Sequence, residues 1–112
     1  MEIRGELEQA LARAVDEGTR AEETDDAFGS YIAAGKRQRL EAVLARWDAG
    51  IGAAALLEEL KAERRHLREL EEQEEHHPTF DWASDHYWAC IYAGERYGCE
   101  AAIRILEGNV GQ

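Results

Sequence analysis

A chain of 112 residues is one small domain by length, and hiding roughly two thirds of its unfolded surface leaves it a thin core. With 45% hydrophobic and 33% charged residues, and 10 glycines against 1 proline, it is neither collagen-like, proline-rich nor extensively disordered. The 24 acidic residues outweigh 13 lysines and arginines for a net charge of -11, which disfavours direct binding to nucleic acid or to an anionic membrane.

The N-terminus, from Met1 to Leu7, lacks the positive start and continuous apolar run of a secretory signal, and no window approaches the ~18 apolar residues of a membrane span. A cytoplasmic location is expected. From Glu2 to Glu17, Ile3, Leu7, Ala10, Leu11, Ala14 and Val15 recur at three and four, which predicts an amphipathic helix stopped by Gly18. Thr19 with Glu22 has capping-box spacing, and Thr24 precedes Asp25 and Asp26, so the second helix is expected to start at one of these threonines. Phe28, Ile32, Leu40, Val43, Leu44 and Trp47 mark its apolar face, while Gly29 and Gly35 weaken its first half and permit a kink or break near Gly35.

Gly50, Ile51 and Gly52 make a tight joint into a long, highly charged helix carrying Ala53, Leu56, Leu60, Glu63, Leu67, Leu70 and Glu74 at helical spacing. So short a joint predicts a helical hairpin, with Trp47 and Ile51 facing Leu56 and Leu60. Pro78 ends the third helix and Thr79 is the natural cap of the fourth. From Phe80 to Glu107 the chain is apolar on more than one face, as in a helix that is central or buries a second face in a partner. Gly98 is a point where this segment can divide, leaving Ala101 to Leu106 as a short last helix before a loose tail over 108–112. Without strand-like alternation or repeats, the expected fold is all-α, a single domain over 1–112 built as a compact bundle of four to five helices with a central helical hairpin.

Cys90 and Cys99 would stand on opposite sides of a continuous helix, about 13 Å apart along it, and read as small core residues in a reducing compartment. No catalytic residue is assigned. Ser30 and Ser84 lack a nucleophile context, no glycine-rich phosphate loop follows a strand, and the pair of His86 and Cys90 has no cation beside it to activate the thiol.

Carboxylates and imidazoles gather around Pro78. Glu63 with His66, and Glu74 with His77, have the Glu-x-x-His spacing of di-iron bundles, which puts both groups on one helix face. The pairs stand about 16 Å apart along a helix, too far to share one metal, so a site would need Asp81, Asp85 or His86, or a second subunit. The plain reading is a solvated face, with His76 and His77 at the negative end of the helix. No metal or cofactor is assigned, and a carboxylate-histidine metal protein is the alternative function.

Two acidic runs, Asp16 to Asp26 and Glu69 to Glu75, can imitate a line of phosphates or simply keep a small protein soluble. Lys36, Arg37, Arg39 and Arg46 form an opposite, basic patch suited to self-association or an oriented contact. Phe80, Trp82, Tyr87, Trp88, Tyr92 and Tyr97 hold most of the aromatics, and either fill the core or anchor an interface. Gly94 and Gly98, four apart, offer a smooth face for close approach of another helix. The leading expectation is a non-enzymatic, homo-oligomeric interaction protein that binds and blocks or bridges a protein partner with a basic surface. Its partner-binding residues are expected to be Glu71, Glu72, Glu74, Glu75, Trp82, Asp85, Trp88 and Tyr92. In size and charge the chain resembles small acidic inhibitors that phages use against host machinery, a likeness of composition with no motif behind it. A purely structural homo-oligomer subunit is a third reading.

Overall fold

Four α-helices succeed one another in the computed structural model, which describes residues 2–75 and 85–110: α1 (Ile3–Glu23), α2 (Ala27–Asp48), α3 (Ala53–Glu75) and α4 (Asp85–Val110). No strand occurs among the described residues, in line with the all-α expectation. Pro78, Thr79 and the expected start of the fourth helix at Phe80 lie outside them.

α1 does not stop at Gly18. Its stripe of Leu7, Ala10 and Ala14 continues past the glycine to a buried Ala21, and a Cβ placed on Gly18 would sit 3.5 Å from the Ala33 side chain of α2. The cost of one helical glycine, about 1 kcal/mol, is offset by the hydrogen bonds and packing that the extra turns add. Neither threonine opens α2. Thr24 closes α1, its hydroxyl donating to the Arg20 carbonyl at 3.0 Å, and Asp26 caps α2, its Oδ1 accepting from the Gly29 amide at 2.9 Å.

Both short joints use the same closing device. In the first, the amides of Asp25 and Asp26 donate to the carbonyls of Glu22 and Ala21, with Asp25 in the left-handed region at φ 56°. In the second, Gly50 and Ile51 donate to Trp47 and Arg46, with Gly50 at φ 94°. These are paired Schellman bonds, and only the second has the glycine that adopts a left-handed backbone without strain.

Glycines also set the crossing of α2 and α4, and for that reason neither helix breaks at them. A Cβ on Gly35 would run into the Ile91 carbonyl, one on Gly94 into the Ile32 carbonyl, and one on Gly98 would lie 3.0 Å from the Lys36 carbonyl. The smooth face of Gly94 and Gly98 is therefore spent inside the molecule. α4 packs along both α2 and α3 and reaches α1, α1 lies on α2, and α2 and α3 make few direct contacts. Trp47 and Ile51 do join the core beside Leu56 and Leu60, but the element lying against both arms of that hairpin is α4.

The largest fully buried side chains among the described residues are Leu7, Leu40, Val43, Leu56, Leu60, Cys99, Ile103 and Leu106, drawn from all four helices. Each large aliphatic one contributes about 1.5–3 kcal/mol by leaving water. Cys90 and Cys99 are both free and buried, as expected of small core residues. α4 runs unbroken through Gly108 to Val110, and the Asn109 amide donates to Glu6 Oε2 at 2.8 Å, tying part of the expected loose tail to α1. No helix among the described residues is long and apolar enough to cross a membrane.

Candidate functional site

Six of the charged side chains singled out in the sequence, Glu17, Lys36, Arg39, Arg46, Glu63 and Glu71, hold helices together. Arg46 of α2 grips Glu63 of α3 at 2.6 and 2.9 Å, and Arg39 of α2 pairs with the same carboxylate and, at 3.5 Å, with Glu95 of α4. Hydrogen bonding from Arg46 holds the Glu63 carboxyl below the usual carboxylate range, while burial pushes Glu95 above it. Lys36 reaches both oxygens of Glu17 on α1 at 3.3 Å, and Arg37 pairs with Glu41 on its own helix at 3.7 Å. Lys36, Arg39 and Arg46 of the expected basic patch are thus engaged by acids of three other helices, while Arg37 pairs within α2.

Glu71 needs the same correction. Arg96 of α4 donates to its two oxygens at 2.6 and 3.2 Å, and the side chains are only 17% and 19% exposed. A carboxylate so engaged clamps α3 to α4 and is not free to meet a partner. Glu72, next to it, is exposed. Trp82 lies outside the described residues, as do the side chains of Glu74, Glu75 and Asp85. Glu63, half of one proposed metal pair, is taken by two arginines, and His66 stands exposed with Nδ1 3.9 Å from Glu69. No group of three or more His, Cys, Asp or Glu among the described residues is placed to hold a metal. The other pair's His77, together with His76, Asp81 and the His86 side chain, lies outside them.

Among the described residues no aromatic is fully buried: the core is built from aliphatic and cysteine side chains, with Trp47 and Tyr92 packed against it. Where α2 and α4 touch backbone to backbone there is no room for a ring between them, so the large side chains lie along the rim of the contact. Trp88 is 50% exposed and Tyr87 40%, while Tyr92 is half-buried against the core. They form a continuous run that starts on α2. Tyr31 meets Tyr87 edge-on with ring centres 4.8 Å apart, Tyr87 meets Trp88 at 5.1 Å, and Trp88 lies 6.0 Å from Tyr92. Tyr97 is exposed further along α4 with the Arg96 guanidinium 4.8 Å above its ring.

Tyr31 connects this run to acid. It also lines a shallow groove of about 310 Å³ with Glu22, Asp25 and Asp26 of the turn between α1 and α2. Neither Tyr31 nor this acidic turn was among the expected partner-binding residues. A signal existed, because Tyr31 precedes Gly35 by one turn and Tyr87 precedes Ile91 by one turn, but it becomes readable only once Gly35 is known to rest on Ile91. The thiols offer no nucleophile: burial pushes Cys90 up, with Asp26 adding to it, and pushes Cys99 to about 11, opposite to an activated cysteine. Comparison with family models, with curated proteins and with solved structures finds no match to the chain.

Proposed function

We propose that this chain is a non-enzymatic interaction protein that binds a protein partner through the partner's basic segment, blocking or bridging it. The working surface is the run Tyr31, Tyr87, Trp88 and Tyr92 together with Glu22, Asp25 and Asp26 of the adjoining turn. The observation that carries this reading is the exposure of Tyr87 and Trp88 in a protein whose thin core would gain by burying them. Exposed Trp and Tyr are the usual anchors of interfaces. Ring faces beside carboxylates suit a guanidinium or ammonium group, each cation over a ring contributing about 0.5–2 kcal/mol. The net charge of -11 adds long-range steering of a basic partner, an effect that salt weakens.

The test is a pull-down from nuclease-treated lysate at low and high salt, with wild type, Trp88→Ala, and Glu22→Gln combined with Asp25→Asn as baits. A stoichiometric basic protein held by the wild type, shed in salt and lost with Trp88→Ala supports the reading. Recovery of the bait alone, identical for all three, rejects it. The same rings would be covered in a homo-oligomer, the second reading, and sedimentation velocity on wild type and Trp88→Ala separates the two.

A further inference from the structure

A second surface lies on a different part of the molecule, at Ala101–Ile105 of α4, about 20–26 Å along the helix axis from Trp88. There a cleft of about 300 Å³ opens between α1, α2 and α4, with Ala10 and Ala101 among its lining residues. Three cations from three helices line it: Arg13, Lys36 and Arg104. The one acid in the lining is Glu17, and Lys36 already holds both its oxygens. Arg13 donates only to the Gln9 carbonyl of its own helix, at 3.4 Å, and neither Arg13 nor Arg104 has a carboxylate partner among the described residues.

This concentration of positive charge runs against the character of a chain with net charge -11. Like charges around one concavity repel, and an anion seated between them removes that cost. The shape of the groups narrows the anion. Two guanidinium forks on opposing helices can each present paired N-H donors to a tetrahedral oxyanion, with the lysine adding a point charge from the third helix. The alanines keep the cleft unfilled, and with Ile105 they give an apolar wall for a small organic body. The volume is at the low end of small-molecule sites, which hold roughly 300–1,000 Å³.

We propose that this cleft binds a small phosphate monoester, with Arg13 and Arg104 holding the phosphate from α1 and α4 and Lys36 completing the charge. This is a site separate from the aromatic surface, and it stands or falls independently of the partner-binding reading.

The experiment is calorimetric titration with phenyl phosphate and with inorganic phosphate, against sodium chloride at matched ionic strength, on wild type, Arg13→Gln, Arg104→Gln and the surface control Arg65→Gln. Saturable binding of one phenyl phosphate per chain, tighter than inorganic phosphate, is expected. Each cleft variant should weaken it by roughly tenfold or more, while Arg65→Gln leaves it unchanged. Amide shifts in the wild type should centre on Ala10, Arg13, Lys36, Ala101 and Arg104, which places the ligand even if a variant folds poorly. Absence of saturable binding, equal response to chloride, or shifts centred elsewhere overturns the proposal.

Discussion

Two stretches of α4 treat side chains in opposite ways. Around Glu95 and Arg96 the helix is locked to its neighbours by charge: Glu63, Glu71 and Glu95 are each paired with an arginine and mostly shielded from water. Around Tyr87 and Trp88, two to three turns earlier by helix geometry, large rings are about half exposed and meet edge-on. The two arrangements share one cause. Backbone contact at Gly35, Gly94 and Gly98 brings α2 and α4 so close that only small groups fit between them, and arginines and rings are displaced to the rim. At the rim a long arginine reaches across to a third helix, as Arg39 does to Glu63, whereas Tyr31, Tyr87 and Trp88 meet ring to ring. Composition alone would leave the charges free in solvent and put the aromatics inside, and here close packing draws several charges into partly shielded pairs and leaves Tyr87 and Trp88 exposed.

The comparison breaks most readily at the glycines. Gly94→Ala should destabilise the protein by about 3 kcal/mol, read from urea unfolding, because its Cβ meets a backbone carbonyl that cannot rotate away. A loss below about 1 kcal/mol would mean that the helices separate cheaply.

Next come the charges. Glu63→Gln should cost about 2 kcal/mol at neutral pH, less than a fully buried pair because the carboxylate is about a quarter exposed. Glu63 titrates below its ordinary range in the folded state, so its contribution is complete above the unfolded carboxylate value and is lost as pH falls through the folded one. The wild-type stability curve should carry that acid limb and the Glu63→Gln curve should not. Glu95 has the opposite sign: its raised value favours the protonated form on folding, so the stabilisation belongs to lower pH and fades as pH rises through the folded value.

Smaller effects sharpen the contrast. Asp25→Gly should stabilise by about 1 kcal/mol in thermal unfolding, since the φ of 56° strains an aspartate more than a glycine. Trp88→Ala should change stability by less than about 1 kcal/mol while abolishing partner capture, which separates a surface ring from a core one. A large stability loss there would return Trp88 to the core.

How far the sequence could be read follows from the same packing. The helix stripes of Leu7, Ala10 and Ala14, of Leu40 and Val43, and of Leu56 and Leu60 were legible because burial repeats at the helical period. Gly18, Gly35 and Gly98 read in the sequence as a stop, a kink and a division, because local propensity counts the cost of a glycine and not the helix that rests on it. The free or paired state of a carboxylate was not legible either. Glu17 finds Lys36, Glu63 finds Arg39 and Arg46, and Glu71 finds Arg96, partners 17 to 25 positions away. Charge alone placed Glu71 and Glu72 in one surface run, and only the fold distinguishes the clamp from its exposed neighbour.

Asp26 belongs to two helices at once. Its amide finishes the closing bonds of α1, and its carboxylate starts α2. The turn therefore has no slack residue to act as a hinge, and α1 cannot swing out to exchange with another copy of the chain unless both helix ends fray together. The amides flanking this turn should therefore exchange with solvent together, as one cooperative unit joining the end of α1 to the start of α2.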